Sequence, residues 1–167
     1  MPRTDTLGGP RLVAPLEEVM HDEVEFEVAA PVEQVWKLLV DVERWPEWSE
    51  SMTSVRRLGT GPLAVGERAV VKQPKLPKLT WEVTELAEGS SFVWVSRTPG
   101  VLTTGSHYVS PAVSADGTPA SKVRLAVSHT GPGAKLVGLF ANSLTRSYLQ
   151  MERRGLTARA ESTAAQS

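Results

Sequence analysis

Two histidines, His107 and His129, are the side chains in this sequence best suited to move protons. Imidazole titrates near neutral pH, so two histidines within reach of each other can serve as general acid and general base. The segments around them are typical of a hairpin whose loop is centred near residue 118, which places them directly opposite or one pair apart. Tyr148 is the third candidate catalytic residue. Alternatively, the histidines form a polar spot in a cavity wall, hydrogen-bonded to backbone, to Tyr148 or to water.

Among the carboxylates, Glu85 shares the parity of Trp81 on a predicted strand. It is expected either to point inward near the strand end, where it would be protonated or paired with Arg97 or Arg124, or to form an ion pair at the rim. No carboxylate has the spacing of a third metal ligand beside the histidines, so no metal site is predicted. The sequence also lacks a Gly-x-Ser-x-Gly motif and a glycine-rich phosphate loop, and no cofactor is expected.

Five tryptophans stand at positions 36, 45, 48, 81 and 94, against three phenylalanines and two tyrosines. Trp81 and Trp94 fall on neighbouring predicted strands, on the same face as Val83 and Phe92. Flat aromatic surfaces of this kind suit a ringed or isoprenoid ligand, and ordinary core packing is the alternative. Trp45 and Trp48 are expected either at a cavity mouth or in a hydrophobic clasp that holds a short helix to the sheet.

Composition excludes several classes of protein. The 167 residues carry a formal net charge of −1, which provides no electrostatic footprint for nucleic acid. No apolar run is long enough to span a membrane, and no secretory signal begins the chain. The absence of cysteine excludes disulfides and thiolate metal sites and fits a cytoplasmic protein. We expect a flexible arm over residues 1–20, in which Met20 could be the native start, one domain over 21–161, and a flexible tail over 162–167.

A run of alternating strands must position these residues, followed by one long helix. Strands are predicted at residues 23–28, 51–58, 67–73, 80–86, 91–97, 103–110 and 122–130. Pro31 is suited to begin a short helix and residues 42–45 a second. The closing helix runs from about residue 134 to 160, with an apolar face of Val137, Phe140, Ala141, Leu144, Tyr148 and Met151. The loop 98–104 is predicted to be a lid.

The order of these parts resembles the polyketide cyclase/dehydrase branch of the START-related (SRPBCC, helix-grip) superfamily. The residues that carry the resemblance are Val-Ala-Ala-Pro-Val-Glu-Gln-Val-Trp (28–36), Asp-Val-Glu-Arg-Trp-Pro-Glu-Trp (41–48), Gly-Pro-Leu-Ala-Val-Gly-Glu (61–67), Thr-Trp-Glu-Val-Thr-Glu (80–85), His107, and the segment 130–152. The resemblance implies an α+β, Bet v 1-like fold: a seven-stranded antiparallel sheet around a long C-terminal helix, two short helices after the first strand, and a ligand cavity.

The resemblance restricts the function to a class without fixing it, because one fold hosts many activities. Binding or transport of a lipid, isoprenoid or polyketide-like molecule is the first hypothesis, and a polyketide cyclase/dehydratase of the aromatase type is the second. A protein-interaction module is the third, and it would need an exposed apolar patch. A monomer or weak homodimer without stable membrane insertion is expected. The predicted ligand-binding residues are Trp45, Trp48, Trp81, Val83, Phe92, Trp94, His107, Val109, Leu125, Val127, His129, Val137, Phe140, Ala141, Leu144 and Tyr148.

Overall fold

Seven strands form one antiparallel sheet in the computed structural model, which describes residues 20–166. The expected arm at residues 1–19 lies outside the described part. The strand order is β1-β7-β6-β5-β4-β3-β2, so each strand after β2 pairs with the strand before it, and β7 returns beside β1. The strands are β1 (Met20–Val28), β2 (Ser54–Arg57), β3 (Arg68–Lys72), β4 (Leu79–Ala87), β5 (Ser91–Thr98), β6 (Val101–Val113) and β7 (Pro119–Thr130).

Alternation along β1 produces the expected half-buried strand: Val24, Phe26 and Val28 are buried, while the glutamates between them are exposed. Helix α1 (Val32–Val40) begins directly after Pro31, and a 3₁₀ helix (Val42–Glu47) follows it. A proline before the first turn costs no hydrogen bond, because the first N–H groups of a helix have no intrahelical partner. Both short helices were predicted, and the second extends two residues further than expected.

Helix α2 (Ala134–Ala164) has 31 residues, which corresponds to a length of about 46 Å. It reaches into the segment expected as a tail. Its C-terminal half buries Leu149, Leu156 and Ala160 against the core. None of the helices between residues 20 and 166 is both long and apolar enough to cross a membrane.

A very close approach fixes the position of α2. A Cβ atom placed on Gly155 would lie 1.7 Å from the carbonyl oxygen of Trp48 and 3.3 Å from Cα of Ser49. Only a residue without a side chain lets the helix backbone come so near to the chain that leaves the 3₁₀ helix. Gly155 therefore sets the distance between α2 and the segment that follows Trp48.

Two local expectations were wrong, and the structure decides between the two alternatives for Glu85. The predicted lid at 98–104 is a tight turn, because β5 extends to Thr98 and β6 begins at Val101. Strand β2 is shorter than the predicted 51–58. The pairing of β4 with β5 contains a β-bulge between Val83 and Glu85. The bulge inverts the alternation of inward and outward side chains beyond it. The Glu85 side chain is therefore exposed and does not point inward.

Substitution of Gly155 by Ala should destabilise the fold although alanine is the better helix former. Helix propensity alone predicts a gain of about 1 kcal/mol, whereas overpacking against backbone costs about 1–3 kcal/mol or more. Urea unfolding measures the difference. The matched control is Ala158→Gly at an exposed position of the same helix turn, which should lose about 1 kcal/mol through propensity. A Gly155→Ala protein more stable than wild type would contradict the contact.

Candidate functional site

A cavity of about 310 Å³ lies between the sheet and α2. Ten of the predicted ligand-binding residues line it: Trp45, Trp81, Trp94, His107, Val127, His129, Val137, Ala141, Leu144 and Tyr148. Strand residues and the 3₁₀ helix form one wall, and α2 forms the other. The helix contributes side chains at three- and four-residue steps from Val137 to Glu152, as expected when one face of a helix borders a cavity.

The other six predicted residues lie elsewhere. Four pack in the core outside the cavity wall: Val83, Phe92, Val109 and Leu125. Trp48 packs against Trp45, with ring centroids 5.8 Å apart, and is partly buried against the core. Phe140 is 81% exposed, so its placement on the inward face of the helix was wrong. Leu136 and Leu139 are exposed beside it, because the inward face is centred on Val137 and Ala141.

Trp45 is the centre of an aromatic wall. Its ring centroid lies 5.2 Å from that of Trp94 and 5.2 Å from that of His107, and Trp81 lies 5.2 Å from Trp94. The Trp45 indole N–H donates to the carbonyl oxygens of Leu38 and Leu39, each at 3.2 Å, which ties the ring to α1. These contacts hold the indole planes in place before any ligand binds.

Gly105 creates the space that the indoles occupy. It pairs with Trp94 across β5 and β6, and a Cβ atom on it would lie 2.6 Å from Nε1 of Trp94 and 3.5 Å from the ring of Trp81. A glycine inside a strand weakens the strand unless something else fills its place. Here the indole rings of Trp94 and Trp81 occupy the space that a side chain at Gly105 would take. They cover this part of the strand at the cavity wall.

His107 is buried within this aromatic wall. Its ring stacks on Phe92, with centroids 4.2 Å apart and planes 12° apart. Burial lowers the pKa of His107 to about 3, and the nearby Phe92 backbone opposes this shift only in part. Nδ1 makes no hydrogen bond of ordinary geometry among the described residues. His107 is therefore a neutral ring at physiological pH, and the expected tuning near neutrality was wrong.

The two histidines do not meet. His107 pairs with Leu125 and His129 pairs with Thr103, so they are four residues apart along the hairpin, or about 13 Å. The turn is centred two residues earlier than predicted. When the centre of a hairpin moves by one residue, the partner of every strand residue changes by two positions, so here the partners change by four. His129 Nδ1 lies 3.0 Å from the Thr103 hydroxyl, and its buried Nε2 has no hydrogen-bond partner within residues 20–166. Burial lowers the pKa of His129, and Asp22 partly opposes this.

Tyr148 connects the helix to the loop between β3 and β4. Its hydroxyl donates to the carbonyl oxygen of Pro74, and burial raises the pKa of Tyr148. Leu76 and Pro77 of the same loop line the cavity, and the Lys72 ammonium donates to the Leu76 carbonyl. This loop therefore borders the cavity, as does the segment 98–104, from which Thr98, Val101 and Thr103 also line it.

Sequence reasoning missed a buried polar cluster formed by Ser49, Ser51 and Glu152, of which Glu152 lines the cavity. The Ser51 hydroxyl donates to Oε1 of Glu152 at 2.9 Å, and the two serine hydroxyl oxygens are 2.8 Å apart. Burial raises the pKa of Glu152 to about 7, against the opposing effect of the Ser51 hydrogen bond. The sequence contained one indication of this burial. Glu152 is four residues from both Tyr148 and Leu156, which places it on the apolar face of the helix.

Comparisons with known proteins agree with this architecture. The model of a family described as "Polyketide cyclase / dehydrase and lipid transport" matches residues 21–161. No curated protein sequence gives a significant match.

Three solved structures show the same fold. A protein from Nitrosospira multiformis has 18% identity and a TM-score of 0.64, and the alignment covers 87% of this chain and 99% of that one. A hypothetical protein from Helicobacter pylori has 14% identity and a TM-score of 0.67, with 96% and 99% covered. Ara h 8.0201 has 13% identity and a TM-score of 0.59, with 84% and 99% covered. The expected helix-grip fold is confirmed.

Substitution of His107 by Phe should remove part of the acid sensitivity of the fold. Between pH 6.5 and about 3 the unfolded histidine binds a proton that the folded one does not, so stability falls as the pH falls. Over that window the wild type should lose about 1.4 kcal/mol per pH unit relative to the variant. Urea unfolding from pH 7 to pH 4 measures this, with His21→Gln at an exposed histidine as control. A difference between wild type and variant that does not change with pH would contradict the burial of a neutral imidazole.

Proposed function

Because the chain belongs to the polyketide cyclase/dehydrase and lipid transport family, we propose that it binds a hydrophobic small molecule, such as a lipid, an isoprenoid or a polyketide-like compound, in the cavity between the sheet and α2. The cavity itself, about 310 Å³ with aromatic and aliphatic walls, is the observation that carries the proposal. Such a carrier could also transport its ligand.

The size of the cavity restricts the ligand. Ligand pockets span about 300–1,000 Å³, so a volume of about 310 Å³ is at the lower end. A fused ring system or one short chain suits it better than a lipid with two long chains. Each 100 Å² of apolar ligand surface removed from water contributes about 2.5 kcal/mol, and the tryptophan side chains at Trp45, Trp81 and Trp94 provide rigid surface for it.

A polyketide cyclase/dehydratase is the second candidate function. The observation that favours it is a protonatable carboxyl group in the cavity wall, Glu152. Holding the reacting carbons of a chain together supplies up to about 7–11 kcal/mol, and proton transfer would need one or more of His107, His129 and Tyr148. With its low pKa, His107 would act as a neutral hydrogen-bonding group.

We also propose a cytoplasmic monomer or weak homodimer with no nucleic-acid partner and no membrane insertion. The net charge of −1 and the absence of cysteine support this. An interaction module is less favoured, because Val93 and Val95, the apolar residues at the outward parity of the sheet, are each only 7% exposed.

Filling the cavity should abolish binding. Ala141 lines the cavity from α2, and Ala141→Trp places an indole in the volume that a ligand would occupy. Fluorescence titration with the neutral probe N-phenylnaphthylamine should show at least a tenfold loss of affinity in this variant. Ala158→Trp, on the exposed side of the same helix, is the matched control and should bind as wild type does. Equal binding by both variants would place the probe outside the cavity.

Native purification followed by mass spectrometry identifies the natural ligand class. A lipid, quinone or polyketide that co-purifies with wild type and is absent from Ala141→Trp supports the binding function. The same molecule recovered from both proteins would indicate adventitious surface binding and count against the proposal.

Cyclase activity is tested with a poly-β-ketone thioester. If the cavity performs ring closure, the double substitution of His107 and His129 by Ala should reduce turnover by about 10²-fold or more, as expected for loss of acid–base groups. Turnover equal to that of wild type would reject a catalytic role for the two histidines. Circular dichroism checks that the variant is folded.

A further inference from the structure

Most of the cavity wall is aliphatic or aromatic, and Glu152 is the one carboxyl group among its described lining residues. We infer that the cluster of Ser49, Ser51 and Glu152 binds a carbonyl oxygen of the ligand, so that the cavity selects a neutral apolar ketone over an anionic or cationic molecule. This inference rests on the proposed binding function and specifies the chemistry of the same site.

The hydrogen bonds of the cluster run in one direction. The backbone N–H of Ser51 donates to the Ser49 hydroxyl at 3.3 Å, and the Ser51 hydroxyl donates to Oε1 of Glu152 at 2.9 Å. Ser51 thereby uses its single hydroxyl hydrogen, so the Ser49 hydroxyl donates to it across the 2.8 Å contact. Both serines are at most 2% exposed. The hydrogen bond from Ser51 to Oε1 therefore fixes the orientation of the Glu152 carboxyl group.

The second oxygen of Glu152 is available to a ligand. Glu152 is only 8% exposed and lines the cavity, and its one hydrogen bond to a described residue engages Oε1. A ligand with a matching group could therefore form a hydrogen bond with this oxygen, which contributes about 0.5–1.5 kcal/mol. Since Ser51 donates to Oε1, a proton on the neutral carboxyl group belongs on Oε2. In that state the group is a hydrogen-bond donor directed at the cavity.

The rest of the cavity wall provides no charge that would pair with an ionic ligand. Its described lining contains no Lys or Arg, and burial lowers the pKa of both His107 and His129. An anion would lose its hydration without gaining a counter-ion, which is strongly unfavourable. A cationic amine could pair with the carboxylate, but two charges would then have to be desolvated, whereas a ketone requires none.

Ligand binding favours the neutral carboxyl group. Burial already raises the pKa of Glu152 to about 7, and an apolar ligand that displaces the remaining water raises it further. The titratable groups that face Glu152 from the other elements are His107 on β6 and His129 on β7, with Tyr148 on its own helix; Glu50, beside the two serines, is exposed. Between pH 6.5 and 9 the histidines stay neutral and Tyr148 stays protonated, so Glu152 alone titrates among these cavity-lining groups.

Four probes with one ring skeleton test this selection: fluorenone, fluorene, fluorene-9-carboxylate, which is an anion at pH 6, and 9-aminofluorene, whose benzylic amine is a cation at that pH. Quenching of the lining tryptophans and isothermal titration calorimetry report binding to the full chain. At pH 6 fluorenone should bind about 5–10-fold more tightly than fluorene, the value of one hydrogen bond, and more tightly than either charged probe. Its affinity should fall about eightfold from pH 6.5 to pH 8, as the neutral fraction of Glu152 falls.

Variants assign the effect to one group. Glu152→Gln keeps a donor and should keep the preference for fluorenone while losing the pH dependence. Glu152→Leu should bind fluorenone and fluorene equally. Glu50→Gln, which removes an exposed carboxylate from the same segment, should behave as wild type.

Each alternative result has a defined meaning. Equal binding of fluorenone and fluorene by wild type would overturn the carbonyl site and leave the hydrophobic binding function standing. A preference for the carboxylate or the amine would overturn the selection of a neutral ligand. A preference for fluorenone that survives in Glu152→Leu would move the site away from this cluster. Failure of all four probes to bind would overturn the proposed function as well.

Discussion

The contact between Gly155 and the backbone of Trp48 and Ser49 is the constraint on which the rest of the structure depends. It determines how closely α2 approaches the chain that follows the 3₁₀ helix. One helical turn earlier, the same approach brings Glu152 into hydrogen-bonding distance of Ser51. Towards the N-terminus of α2 the inward side chains increasingly border the cavity, and Leu149 contacts both the cavity and the core.

Burial shifts the pKa values of His107 and Glu152 in opposite directions, and in both cases it favours the neutral form of the side chain. It lowers the pKa of His107 to about 3 and raises the pKa of Glu152 to about 7, because the charged form is disfavoured in both. Between pH 4.5 and 6.5 the histidine makes the fold more stable as pH rises and the glutamate makes it less stable, so the two effects partly cancel. The interior thus tends towards zero charge, which agrees with a neutral ligand.

The sequence predicts the order and type of every element, because alternation along β1 and β7 and the apolar face of α2 are strong signals. Register is a weaker signal: the turn near Asp116 lies two residues before its expected place, which separates His107 from His129. The bulge after Val83 leaves no mark in the alternation, so the sequence alone could not decide between the two alternatives for Glu85. Glu152 was missed because a carboxylate followed by two arginines is typical of a solvated helix face. Its burial depends on Ser51, which lies 101 positions away.

The position of the cavity along α2 divides the helix into two parts with different local stability. The turns around Leu149, Leu156 and Ala160 are packed against the core. The turns around Val137 and Ala141 have the cavity on one side and, at Leu139 and Phe140, solvent on the other. Amide hydrogens in the first part are therefore protected by the global unfolding free energy, and those in the second part exchange through local opening. The N-terminal turns of α2 thus lack part of the packing that stabilises the C-terminal turns.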